Sequence, residues 1–174
     1  RQDFEPSDFA SMIEYVKANK DTVTLANAGI GAASHLCGMM LMSALDVPLV
    51  TVPYKGTGPA MTDLLGGQVD LMCDQTTNTT KQIQGGTVKA YAVTSPERLE
   101  IFPELPTAIE GGLDGFEVMI WHGIYTPKGT PAEVNQRLSE SLQKALADAD
   151  IATRFAELGT EPSPAEDATP EALK

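Results

Sequence analysis

The chain has 174 residues, with 12 Lys+Arg against 24 Asp+Glu and a formal net charge of −12. Its 42% hydrophobic content is too apolar for a disordered acidic tail. The apolar stretches around 39–44 and 118–121 fall far short of the ~20 residues of a membrane helix. The few basic residues are scattered, which excludes a phosphate-tracking stripe, so no nucleic-acid partner is expected. An anionic small ligand is not excluded, because a single helix N-terminus holds a carboxylate whatever the net charge. No charged-then-apolar leader opens the chain, so no signal peptide is expected within these residues. Two cysteines, Cys37 and Cys73, make neither a disulfide framework nor a zinc site.

In chain order, Ser7 is positioned to cap a helix to about Asn19, with Met12, Ile13 and Val16 on one face. Thr22–Ala26 reads as a short buried strand. A glycine-bearing loop, Asn27–Ala33, leads to a helix from Ser34 to about Leu45, with Ser34 as its cap. The methionines Met39, Met40 and Met42 read as core filling. Leu49–Pro53 is a second strand, followed by the loop Tyr54–Gly58 and a helix with Pro59 in its first turn. Gly66-Gly67 ends that helix, and Val69–Cys73 is a third strand. A helix over 77–84 and a strand over 87–93 follow. Residues 94–115 are turn-rich, with one helical turn near 107–110. Phe116–Tyr125 reads as a strand apolar on both faces, before an amphipathic helix over 131–146 and another over 151–158. Thr169-Pro170-Glu171 resembles a helix start, so the natural protein is expected to continue past Lys174.

Strand, glycine loop and helix, repeated, predict a parallel α/β layer with right-handed crossovers. In such sheets ligands sit at the carboxyl ends of the strands, beside helix N-termini. The loops at 26–34, 53–58 and 74–77 are therefore expected to converge. Gly29-Ile30-Gly31 is not a dinucleotide fingerprint. Ser34 stands where the third glycine belongs, and 49–53 offers no acidic residue. Gly56-Thr57-Gly58 lacks the Gly-Lys-Thr ending of a P-loop. The same glycines do let backbone amides approach an anion, with the Ser34 hydroxyl as a further donor; a plain strand–helix turn reads equally well. An α/β hydrolase using Ser34 or Cys73 is the rival reading. It is weakened because His35 neighbours Ser34 on a helix without facing it, and no G-x-S-x-G elbow surrounds the serine. Asp74, at a strand–loop junction, is placed either to accept a hydrogen bond from a ligand amine or hydroxyl, or to orient loop amides. Asp70, alternating with apolar neighbours, reads as a carboxylate facing solvent or a helix cap. No metal spacing is recognised, and no cofactor is called for. Cys37 and Cys73 both fall near one sheet edge, where a bridge and two buried thiols are each compatible with the sequence.

Taken together, these motifs resemble those of a known family. Asn27-Ala28-Gly29-Ile30-Gly31 with Ser34-His35-Leu36 matches its G-x-G-x-x-S-H-L segment, and Pro53-Tyr54-Lys55-Gly56 with 63–70 matches its P-Y-K-G…D-L-L-G-G-Q-V-D stretch. Arg98, Pro103, Pro106-Thr107, Glu110, Gly112, Trp121 and Pro127-x-Gly129-Thr130-Pro131 follow in order. The family is the substrate-binding proteins of tripartite tricarboxylate transporters, the Bug receptors. The resemblance implies a periplasmic, two-lobed Venus-flytrap receptor for small carboxylates, without catalysis, working with the membrane components of the transporter. Members are longer, so residues 1–121 are expected to be the second ligand-binding lobe and 122–174 an incomplete strand-and-helix segment returning to lobe one. The ligand contacts it implies are Ala28, Gly29, Ile30, Gly31, Ala32, Ala33, Ser34, Tyr54, Asp74 and Gln75, with His35 beside them. Residues 122–174 are expected to pack against another copy of the chain or to be poorly ordered.

Overall fold

The computed structural model describes residues 1–173. It divides into two compact units, Arg1–Ile120 and Trp121–Lys174.

In the first unit, α1 (Phe9–Ala18) buries Phe9, Met12 and Val16. Its cap is Asp8, not Ser7. The Asp8 carboxylate accepts from the Ser11 amide at 2.8 Å, while Ser11 Oγ accepts from the Asp8 amide at 3.1 Å. A carboxylate in the register of the cap outcompetes the hydroxyl one residue earlier. The sheet comprises β1 (Thr24–Asn27), β2 (Val50–Pro53) and β3 (Leu71–Met72), all parallel in the order β2-β1-β3. Thr24 pairs with Val50, Asn27 with Pro53, and Ala26 with Met72. Asp70 locks the start of this pairing. Its Oδ2 accepts from the Thr24 amide (2.8 Å) and hydroxyl (2.9 Å), and its Oδ1 pairs with Arg1 at 3.0 Å. The sequence reading had Asp70 facing solvent or a helix cap; instead it ties two adjacent strands.

Three helices follow the strands: α2 (Ala33–Leu45), α3 (Thr57–Leu65) and α4 (Thr76–Gln84). α2 lies close on β1 because Gly38 has no side chain; a Cβ there would meet the Leu25 side chain at 2.9 Å. Cys37, Leu25, Val16, Met12 and Leu71 share one core cluster, and Ala60, Met61, Leu64 and Val69 a second. Met42 packs on the first cluster, but Met39 and Met40 are exposed. The expected core role of those two fails because α2 buries only the face of Ser34, Cys37, Gly38 and Leu45.

The strand expected over 87–93 reduces to a single parallel bridge, Val93 to Thr107. The segment is held instead by side chains: Lys89 Nζ donates to the Phe4 and Pro6 carbonyls, and the Tyr91 hydroxyl to Pro6 O at 2.9 Å. The turn at 107 closes with the Gly111 amide on Thr107 O at 3.0 Å. The strand expected over 116–125 is also not formed. Val118 bonds to Thr94, but Met119, Trp121, Ile124 and Tyr125 are exposed and pair with no strand. Apolarity on both faces reported a need for cover, not a strand.

In the second unit, α5 (Ala132–Leu146) and α6 (Ala149–Glu157) contact one another. Neither buries a residue, and Val134 and Leu138 stay exposed. The helix expected from Thr169 is a run of turns, although the Thr169 hydroxyl does accept from the Ala172 amide at 3.1 Å. Lys174 lies outside the described residues.

Candidate functional site

Because the three strands are parallel and adjacent, the loops after Asn27, Pro53 and Met72 leave one edge of the sheet. The helices α2, α3 and α4 begin there, so three helix N-termini, each worth about half a positive charge, share that edge. This supplies anion attraction in a chain with net charge −12.

The β1–β2 ladder runs on into the loops. The Tyr54 amide donates to Asn27 O and the Gly56 amide to Ala28 O, both at 2.9 Å. Gly29 has φ 127°, and a Cβ there would lie 3.1 Å from Tyr54 O. The first loop is held from within. Asn27, which is buried, accepts from the Gly29 amide at 3.0 Å; Ser34 Oγ accepts from the Ala28 amide at 2.9 Å; His35 Nδ1 accepts from the Gly31 amide at 3.3 Å; and the Ala32 amide bonds Gly29 O. The amides of Ile30, Ala33 and Ser34 are left with no acceptor among the described residues. The same holds for Thr57 and Gly58, which open α3.

Ser34 is not the cap of α2. Ala32 takes that position without a side-chain bond, and Ser34 turns its oxygen back to the Ala28 amide. Its hydroxyl proton has no acceptor among the described residues, so it remains a donor. Tyr54 shapes the loop through its backbone, because its phenol donates to Asp63 Oδ2 at 2.7 Å. That hydrogen bond, and then partial desolvation, push the phenol above its ordinary pKa. Asp74 Oδ1 accepts from the Gln75 amide (2.8 Å) and from Asn78 Nδ2 (3.2 Å). Asp74 therefore orients its own loop, while its Oδ2 is buried and unpartnered. Gln75 precedes α4 and accepts from the Asn78 amide.

Asn27 and Asn78 were not singled out by sequence. Asn78 reaches both Asp74 and Thr57 Oγ1, the latter at 3.5 Å, joining the second and third loops. An asparagine at the end of a strand, two residues before Gly29, was a readable loop signal. Nothing in the sequence marked Asn78.

The hydrolase reading loses its residues. Cys73 is disulfide-bonded to Cys37 and has no thiol to ionise. Among the described residues no base accepts from Ser34, and His35 Nδ1 accepts instead from the Gly31 amide. A groove along α1, lined by Glu5, Ser11, Glu14 and Tyr15, presents two carboxylates and does not suit an anion. Among the described residues no cluster suits a metal ion, and no helix is long and apolar enough to cross a membrane.

The fold and the amide-lined edge define a lobe of the periplasmic-binding-protein type. The periplasmic binding protein BugD superposes with a TM-score of 0.96 and 60% identity, covering 99% of this chain and 57% of BugD. MatC from Rhodopseudomonas palustris, solved with bound malate, gives a TM-score of 0.95 and 38% identity over 99% of this chain and 59% of MatC. Residues 1–170 match the tripartite tricarboxylate transporter family receptor, TctC, and the chain belongs to that family. A UPF0065 protein from the ttuE–ttuC' intergenic region of Agrobacterium vitis is 53% identical over 173 residues, 99% of this chain and 50% of that protein. The chain thus spans about half the length of the curated relatives it matches.

Proposed function

We propose that this chain carries the ligand-binding lobe of an extracytoplasmic receptor for a small di- or tricarboxylate, residing in the periplasm and delivering its ligand to the membrane components of a tripartite transporter. The observation that carries the reading is the set of acceptor-less amides at Ile30, Ala33 and Ser34, on a loop bent by two positive-φ glycines, where three helix N-termini share one sheet edge. Such amides are fixed donors that a carboxylate satisfies without a basic side chain. The malate bound by MatC supports the ligand class.

In this reading residues 1–121 are the second lobe and 122–174 return toward the first, which supplies the other half of the clamp. Ligand contacts with both lobes then select the closed state. Val134 and Leu138, exposed on α5, are covered in the longer receptor, and by a second copy when this chain is alone. Light scattering tests the latter: a concentration-dependent dimer supports it, and a monomer at all concentrations contradicts it.

Calorimetry with malate, citrate and a neutral diester of malate tests the function. Heat of binding from the acids alone is expected; binding of the diester, or its hydrolysis, contradicts the reading.

A further inference from the structure

The two strands beside β1 reach the site edge by different means. On the β2 side, Thr24 to Asn27 pair with Val50 to Pro53, and the Tyr54 and Gly56 amides carry that ladder on into the loops. On the β3 side, the ladder pairs Leu25 with Leu71 and Ala26 with Met72, and ends there. The disulfide begins at the next residue. Cys73 is bonded to Cys37, with Cα atoms 6.1 Å apart. The tie that continues β3 toward the site edge thus runs through two sulfurs to α2.

At its other end the tie meets the helix that carries the donors. Cys37 is three residues after Ser34, one turn along α2 from the Ala33 and Ser34 amides. It lies on the buried face of α2 with Ser34, Gly38 and Leu45. Gly38 lets α2 approach Leu25 of β1, and Ser34 Oγ accepts from the Ala28 amide at its start. Because Cys37 is buried, its part is to place the amides, not to touch a ligand. Hydrogen bonds weaken steeply off line, so donors on a helix's first turn work only where the helix is held to about 0.5 Å.

We infer that the Cys37–Cys73 bridge is a positioning element of the binding site: it holds the first-turn amides of α2 against the end of β3, and a folded chain without it binds carboxylates weakly. The inference rests on the carboxylate reading above. Without the bridge, a ligand has to order the helix start as it binds, and affinity falls by that cost. A bridge serving stability alone would change how much of the chain is folded, and leave the affinity of the folded chain as it was.

The test is calorimetry with malate, well below the melting temperature, on the oxidised chain, the chain reduced with dithiothreitol, and Cys37→Ser/Cys73→Ser. Dithiothreitol supplies two electrons and two protons, opens the bridge to two thiols and closes its own ring as a disulfide. Circular dichroism reports whether each form is folded. Val16→Ala, a core change on α1 outside the site, lowers stability with the bridge intact and is the control. The reduced and serine chains are expected to be folded and to bind malate about ten-fold more weakly or worse, with Val16→Ala within about three-fold of the wild type. Folded, unbridged chains that bind within about three-fold of the oxidised chain overturn the inference and leave the carboxylate reading standing. Unfolding on loss of the bridge does the same, since the tie is then one of stability alone, and so does equal weakening in Val16→Ala. No binding of malate by the oxidised chain overturns both.

Discussion

Cys37 and Cys73 are joined by a disulfide across a sequence separation of 36 residues, and each lies beside a candidate site element. Ser34 is one turn before Cys37, and Asp74 directly follows Cys73. The bridge therefore pins the start of α2 to the end of β3, behind the loops that carry the donors. Closing a loop of this length removes unfolded-state entropy worth roughly 3–4 kcal/mol. The double variant Cys37→Ala/Cys73→Ala is expected to unfold at correspondingly lower denaturant, and reductant to lower the melting temperature of the wild type alone. Coincident unfolding curves for the two proteins would contradict this.

Gly29 and Gly31 both have positive φ, at 127° and 83°, but only Gly29 has a neighbour in the way. Gly29→Ala forces a Cβ toward Tyr54 O in a strained backbone region, at about 1–3 kcal/mol. Gly31→Ala meets nothing within 4 Å and bears the φ strain alone. Thermal melts should rank Gly29→Ala below Gly31→Ala, and Gly29→Ala should also weaken malate binding. The reverse ranking would show that the Tyr54 contact does not set the loop.

Ser34 is buried, and its oxygen accepts from the Ala28 amide. Ser34→Ala strands that amide and removes one donor from the site, with an expected stability cost of about 1–3 kcal/mol. Malate affinity should fall at least ten-fold. Calorimetry showing unchanged affinity would remove Ser34 from the site.

Desolvation pushes the Tyr91 hydroxyl up to about 12. In the unfolded chain a tyrosine ionises near 10. The folded state therefore keeps a proton that the unfolded state releases, and stability falls as pH rises from about 10 to 12. Ionisation also deprives Pro6 O of its donor. Urea melts across that window should show the fall in the wild type and a shallower one in Tyr91→Phe. Identical profiles would contradict the assignment.

The three parallel strands, their glycine loops and the helices behind them were legible because short apolar runs bounded by glycine leave few other folds. The pair formed by Asp8 and Ser11 was misread for Ser7, since both residues cap well and only the local register decides. The segments 87–93 and 116–125 were misread as strands. Periodicity reports which residues want burial, while a ladder needs a partner edge, and here only Val93 finds one. At the site, Gly29, Gly31 and Ser34 were readable as a loop–helix junction. Asn78 was not, because its bond to Thr57 reaches across 21 residues to another loop and follows no local pattern. The bridge between Cys37 and Cys73 was equally open to being two buried thiols until the register brought their Cα atoms within 6.1 Å.

The central claim is that a carboxylate sits on the backbone amides at the start of α2. The most direct measurement is an amide-resolved NMR titration of the uniformly labelled chain with malate. The account predicts that the Ile30, Ala33 and Ser34 amide resonances move together downfield, saturate with one affinity, and move more than any resonance of α1. Malate binding that leaves these three resonances in place, or shifts confined to the groove along α1, would contradict it.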